Sequence, residues 1–192
     1  MAITARNKDA GRRIRLGMVG GGQGGFIGAV HRYAARLDDH YELVAGALSS
    51  DPIRAKASGE DLGLASDRIY SDFATMARIE AGRADGIEAV SIVTPNHLHV
   101  PVAMAFVEAG IHVICDKPLA ISLEEARRLE KLLACWPDVI FALTHNYSSY
   151  PLIRQARAMV QSREQGEIRV IQAEFSQDWL TNPIEQDRKS VV

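Results

Sequence analysis

Residues 13–32, RIRLGMVGGGQGGFIGAVHR, constrain this chain more than any other stretch. Residues 14–19 form an apolar run that predicts a buried strand, and a glycine cluster follows at once. Phe26-Ile27 and Ala29-Val30 then open a helical pattern. Gly20, Gly22 and Gly25 fit G-x-G-x-x-G in the strand–turn–helix setting that a dinucleotide fingerprint requires. Each position does different work. Gly20 permits a tight turn, the missing Cβ at Gly22 lets a pyrophosphate approach the backbone, and Gly25 lets the helix pack close to the strand. The helix N-terminus adds free N–H groups and the positive end of the dipole. Gln23 inside the turn and Phe26 just past it are grouped with these glycines as cofactor contacts. A flexible glycine loop is the plainer reading, since so many glycines leave the register ambiguous. The flanking strand and helix weigh against it.

Strands and helices continue to alternate. Residues 41–48 (YELVAGAL) predict a second strand. Asp51-Pro52 then starts a helix, with Asp51 as N-cap and Pro52 at the first helical position. Residues 68–70 predict a short third strand, and Ser71 caps a helix running to about Ala81, which Gly82 ends. Ala89–Val93 is an apolar strand of the kind a parallel sheet buries on both faces. The loop Thr94-Pro95-Asn96-His97-Leu98-His99 and a helix reaching Gly110 come next. His112–Cys115 is the fifth strand, and it runs into Asp116-Lys117-Pro118. Ser122 and Glu125 make a capping box for a helix reaching Trp136, and residues 139–143 predict a sixth strand.

This order argues for an α/β fold with a doubly wound parallel sheet. Right-handed crossovers put the ligand outside the carboxyl ends of the strands. Residues 20–25, 94–99 and 116–118 all occupy such ends, which locates one cleft. Past Leu143 the pattern changes. Tyr150-Pro151 opens a helix with Leu152, Ile153, Ala156, Met159 and Val160 on one face, and residues 168–180 alternate as a half-buried strand. We expect a dinucleotide-binding domain over 1–145 and the start of a second, α+β open-sheet domain over 146–192. One helix and one strand cannot enclose a core, so the chain reads as a piece of something longer.

Bulk properties exclude little but exclude it clearly. The 192 residues are 47% hydrophobic and 24% charged, with a formal net charge of −2. Nothing in that balance attracts nucleic acid or an anionic membrane. Two cysteines, Cys115 and Cys135, are too few for a disulfide framework, which suits a reducing, cytoplasmic setting. Neither a leader segment, a membrane span nor a metal site is expected.

With these residues in place the sequence resembles the Gfo/Idh/MocA oxidoreductase family. Four motifs carry the resemblance: GMVGGGQGGFIGAVHR, IVTPNHLHVPVA, AGIHVICDKPLA and HNYSSYPLIRQARAMV. It implies a Rossmann domain for NAD or NADP followed by a domain for substrate and oligomerisation. It also implies hydride exchange between a nicotinamide cofactor and a sugar or cyclitol hydroxyl or ketone, with no metal. Asp116-Lys117-Pro118 stands where the family has Glu-Lys-Pro. By resemblance Lys117 is the catalytic residue, hydrogen-bonding the reacting hydroxyl, and an ammonium there would stabilise a developing alkoxide. Asp116 is placed with the cofactor contacts, one methylene shorter than the family's glutamate. Thr94, Pro95, Asn96 and His99 match TPNxxH, which lines the nicotinamide side, and Asn146 follows the sixth strand at that end. For His99 a helix-capping role is an equal alternative. His31 and Arg32 on the first helix read as structural, and Asp178 and Trp179 as substrate contacts or solvated and core residues alike.

An NAD site would set an acid at the end of the second strand, where Leu48 stands instead. Ser49, Ser50 and Arg54 could bind a 2′-phosphate, which tilts the expectation to NADP, though Asp51 serves if the strand ends later. The family's general base is a histidine in the second domain, and no histidine follows His145. We therefore expect cofactor binding with little or no turnover from this chain alone. A non-catalytic dinucleotide-binding module is the main alternative. A third is an interaction protein whose exposed strand pairs with another copy, and a homo-oligomer is expected in any case.

Overall fold

In the computed structural model, which describes residues 11–176, the chain divides into two compact units, Met1–Thr144 and His145–Val192. The first unit is built on five parallel strands: β1 (Ile14–Gly20), β2 (Tyr41–Ala47), β3 (Ala89–Val93), β4 (His112–Cys115) and β5 (Phe141–Leu143). Their order across the sheet is β2-β1-β3-β4-β5, and every pairing is parallel. The order reverses between β1 and β3. That is the switch point where the outgoing loops diverge and leave a crevice.

Five helices connect the strands: α1 (Phe26–Leu37), α2 (Pro52–Asp61), α3 (Phe73–Gly82), α4 (His99–Glu108) and α5 (Leu123–Cys135). They cover the sheet unequally. The larger core joins Val19, Val90, Ile92, Val113 and Cys115 of the sheet to Met76 of α3, Phe106 of α4 and Leu129 of α5. The smaller core lies on the opposite side chains of the strands: Met18, Leu48, Leu64 and Val93, with Ile27 of α1 and Leu62 packed against them. Adjacent residues Met18 and Val19 enter different cores because successive strand side chains point to opposite faces. All five residues of β3 are buried, as the continuous apolar run predicts.

Three sequence readings are corrected. Residues 68–70 are not a strand: Ser66–Arg68 is a 3₁₀ turn, and the sheet is touched by a single bridge between Gly46 and Ile69. Buried Glu80 explains the difference. It takes Nε–H of Arg68 at 3.1 Å, the Tyr70 hydroxyl at 2.7 Å and the Ile87 N–H at 3.0 Å, and a second arm of Arg68 closes on it as well. Arg68 and Tyr70 both close on this one carboxylate, and the backbone leading to them coils as the 3₁₀ turn instead of extending beside the sheet. A buried charge must be paired, so the carboxylate wins. Second, Asp72 rather than Ser71 caps α3, accepting from Thr75 N–H at 2.7 Å, and Gly82 lies inside that helix.

The third correction concerns the second unit. Residues 146–149 form a 3₁₀ turn and α6 (Pro151–Gln161) follows, with no buried residue. Residues 168–176 carry no strand pairing and are exposed throughout; residues 177–180 of the expected strand, with Asp178 and Trp179, lie outside the described residues. Alternation alone does not make a strand, because the ladder needs a neighbour to receive its hydrogen bonds. Val170, Ile171 and Phe175 are left more than three-quarters exposed, at 83%, 82% and 77%. Among the described residues no helix is long and apolar enough to cross a membrane.

Candidate functional site

The glycine turn at the carboxyl end of β1 is held by its neighbours peptide by peptide. Gly20, Gly21 and Gly24 have φ of 81°, 71° and 79°, a region that favours glycine. Gly22 N–H donates to the Leu48 carbonyl at 3.2 Å, and Gln23 N–H donates to Ser58 Oγ of α2 at 3.0 Å. The Gln23 amide also donates to Asp61 at 2.6 Å. A Cβ on Gly22 would lie 2.6 Å from Ser58 Oγ and 2.8 Å from the Leu48 carbonyl oxygen. Glycine at 22 is thus required by the packing of α2, a reason beyond the ligand approach that the motif suggests. The helix-packing role given to Gly25 likewise belongs to Gly28, whose Cβ would fall 2.4 Å from Gly21 Cα. Gly25 is instead the N-cap of α1, and no side chain caps that helix. Among the described residues the N–H groups of Gly24, Phe26 and Ile27 make no hydrogen bond.

Two further loops share this end of the sheet. Residues 94–98 leave β3, and Asp116-Lys117-Pro118 leave β4, with a cis peptide before Pro118. His99 ties them together. It is 1% exposed, with Nδ1 2.6 Å from the Pro118 carbonyl oxygen and Nε2 3.0 Å from that of Thr94. With both nitrogens engaged and the ring buried, His99 neither caps a helix nor has a nitrogen left for a cofactor, so both expectations for it give way. Thr94 Oγ1 is buried with no hydrogen-bond partner among the described residues. An orphaned hydroxyl of that kind is costly unless something polar completes it. Pro95 is exposed and Asn96 half-buried beside it.

Asp116 is held more firmly than its motif suggests. The Thr144 hydroxyl donates to it at 2.9 Å, and His31 Nε2 stands 3.7 Å away, an ion-pair distance. The other nitrogen of His31 is 2.8 Å from Ser91 Oγ, itself buried on β3. Burial pushes the Asp116 carboxyl up, but the hydrogen bonds of His31, Thr144 and the Lys117 N–H together outweigh it and hold it below its ordinary value. Sequence reading gave His31 a structural role without its partners, because nothing local signals a side chain that reaches from α1 to the residue following β4. Lys117 next to this anchored carboxylate is exposed.

At the β2 end, Leu48 turns inward at 3% exposure and leaves no acid there. Ser49 Oγ accepts from Asp51 N–H at 3.1 Å, while Asp51 caps α2 through Ile53 and Arg54 N–H at 2.9 and 3.3 Å. Arg54 is exposed and ion-pairs with no described residue. Asn146 lies in the second unit, where its amide donates to the Tyr150 hydroxyl at 3.2 Å.

An uncapped helix N-terminus, a glycine turn with N–H groups that bond no described residue and an orphaned hydroxyl at one switch point fit a phosphate-bearing dinucleotide. Fold and site together define a doubly wound dinucleotide-binding protein. Comparison with known proteins narrows this: residues 14–142 match the Gfo/Idh/MocA oxidoreductase family, with its NAD-binding Rossmann fold, and the chain belongs to that family. The oxidoreductase YfiI of Bacillus subtilis is 40% identical over 164 residues, covering 85% of this chain and 42% of that protein. Levoglucosan dehydrogenase of Pseudarthrobacter phenanthrenivorans is 29% identical over 172 residues, covering 90% of this chain and 43% of that enzyme. An inositol dehydrogenase homolog from Azotobacter vinelandii, solved with NADH and myo-inositol, superposes with a TM-score of 0.78 at 45% identity, covering 83% of this chain and 42% of that one. The chain spans less than half the length of the curated relatives it matches.

Proposed function

We propose that this chain supplies the cofactor half of an NAD(P)-dependent dehydrogenase acting on a sugar or cyclitol. The single observation that carries the reading is the bare N-terminus of α1, whose Phe26 and Ile27 N–H groups are left for a pyrophosphate. Gly20, Gly22, Gln23 and Gly25 shape that turn, and Thr94 with Pro95 and Asn96 borders the crevice beside it. A bound nicotinamide supplies a hydride acceptor or donor. Lys117 hydrogen-bonds the reacting hydroxyl and stabilises it as its proton leaves, and Asp116, fixed by Thr144 and His31, keeps the Lys117 backbone in register. The polyol class is supported by relatives named for levoglucosan and myo-inositol.

Ser49, Ser50 and Arg54 favour NADP over NAD, since no acidic side chain stands at the strand end to repel a 2′-phosphate. Against this, the similar Azotobacter structure holds NADH. Fluorescence titration of the chain with NADH and NADPH decides it: saturable binding is expected, tighter for NADPH. Absence of binding to either by folded protein would overturn the reading. Tighter NADH would reverse only the preference.

A second reading is a binding module without turnover. Ordinary turnover of any polyol by this chain would exclude it. Self-association belongs to the proposal too, because Val170, Ile171 and Phe175 are exposed on the second unit. Light scattering against concentration tests that.

A further inference from the structure

Arg32 sits seven residues past the α1 N-cap, yet its guanidinium is found at the glycine turn. Helical side chains lean toward the N-terminus, and this one follows α1 back until Nη1 donates to the Gly21 carbonyl at 2.8 Å, passing 3.4 Å from Met18 Sδ. The peptide joining Gly21 and Gly22 is thereby fixed at both ends, its carbonyl by Arg32 and its N–H by the Leu48 carbonyl at 3.2 Å. The next peptide is fixed as well, its carbonyl by Gly25 N–H at 2.9 Å and its N–H by Ser58 Oγ at 3.0 Å. Beyond these two pinned peptides, the N–H groups of Gly24, Phe26 and Ile27 are left without partners among the described residues.

The charge on Arg32 is uncompensated. It ion-pairs with no carboxylate among the described residues. Partial burial, and then repulsion from Arg36, lower its pKa, against a small opposing effect of Tyr33. A partly buried cation without a counter-ion is costly unless an anion completes it.

Resting on the dinucleotide reading above, we propose that Arg32 is a positioning residue for the pyrophosphate. It locks the Gly21 peptide so that the free amides of the turn face the ligand, and it supplies the positive charge that the phosphates neutralise. Its arginine fork suits both tasks, because it can hold a carbonyl and keep its charge without deprotonating.

The test compares ligands with and without phosphate on the whole chain. Calorimetry with ADP-ribose and with adenosine, and fluorescence with NADH, are run on wild type, R32Q and R32K. R32Q is expected to weaken ADP-ribose and NADH about tenfold and to leave adenosine within about twofold. The wild-type affinity for ADP-ribose is expected to fall with salt, and more steeply than that of R32Q. R32K, which keeps the charge but not the fork, is expected to lie between, about threefold weaker than wild type. Equal loss of ADP-ribose and adenosine in R32Q, or unchanged ADP-ribose binding, would overturn the proposal. If R32Q does not fold, R32K decides, and wild-type affinity for ADP-ribose in R32K overturns it. Wild-type protein that binds no NADH takes the dinucleotide reading down as well, whereas NADH binding that R32Q leaves intact removes only the role of Arg32.

Discussion

Helices α1 and α3 of the same unit begin in opposite ways. At α3 the Asp72 carboxylate accepts Thr75 N–H at 2.7 Å, and the helix closes its own first turn. Asp51 and Ser122 do the same for α2 and α5. At α1 a glycine occupies the cap position, and the Phe26 and Ile27 N–H groups bond to no described residue. A side-chain cap is worth about 1 kcal/mol, so leaving α1 without one gives up stability that α2, α3 and α5 keep. Helix α4 also lacks a side-chain cap, but the 3₁₀ turn before it bonds the Leu98 and His99 N–H groups to backbone carbonyls. A carboxylate at the cap would also repel the anion that a bare N-terminus attracts. The difference separates helix ends that close their own first turn from one left open, the end to which the proposed function assigns the pyrophosphate.

The harshest way to break that contrast is to disturb the packing that lets α1 stay bare. Gly28→Val puts a Cβ 2.4 Å from Gly21 Cα, where only backbone can give way. We expect a loss of about 3 kcal/mol in chemical denaturation, together with loss of NADH binding. A wild-type denaturation midpoint would contradict the packing role assigned to this glycine.

Gly25→Asp gives α1 the kind of cap that α3 has. Gly25 already has the extended φ and ψ of an N-cap, −88° and 113°. A Cβ there lies 3.1 Å from the Gly22 carbonyl oxygen, so the turn must yield slightly. NADH affinity is expected to drop about 100-fold while the protein stays folded by circular dichroism. Retained affinity would mean that the anion does not sit at this helix end.

The smallest effect sharpens the comparison from the other side. The hydrogen bond from Thr75 N–H, partly offset by burial, holds Asp72 below its ordinary value of 3.8. A carboxyl depressed in the folded state adds stability above its unfolded pKa and loses it as pH falls through the folded one. Asp72→Ala is therefore expected to cost about 1 kcal/mol at pH 7, and the gap to wild type should narrow below about pH 4. Amide exchange at the start of α1, which has no acid in its first turn, should lack this pH dependence. A gap between the two proteins that stays constant from pH 7 to pH 2 would refute it.

Much of the first unit was legible because its signals are local. Apolar runs at β1, β3 and β4, the Asp51-Pro52 cap and the Ser122 cap all lie within one element and need no partner to be read. The reading failed wherever a distant group intervened. Residues 68–70 have strand-forming types, but a 3₁₀ turn over Ser66–Arg68 leaves only one bridge, Gly46 to Ile69, with Arg68 and Tyr70 tied to the distant Glu80. Residues 168–176 alternate correctly, but no described strand lies beside them. In the site, the glycines were found, but the contacts that require them were not: Gly22 answers to Ser58 on α2, and the close helix packing expected of Gly25 falls to Gly28 against Gly21. His99 was recognised by motif, yet that its ring joins two loops is visible only once both loops are placed.

The sequence by itself determined the alternation of strands and helices, the doubly wound class and the three loops that gather at the carboxyl end of the sheet. Periodicity, glycine and capping residues act over a few positions, and those positions are adjacent in the chain. Only tertiary structure decided which amides of the glycine turn stay free, which carboxylate His31 and Thr144 hold, and that Arg32 folds back onto Gly21. Those outcomes depend on hydrogen-bond distances between groups from different elements, and such distances exist only after the chain has closed on itself.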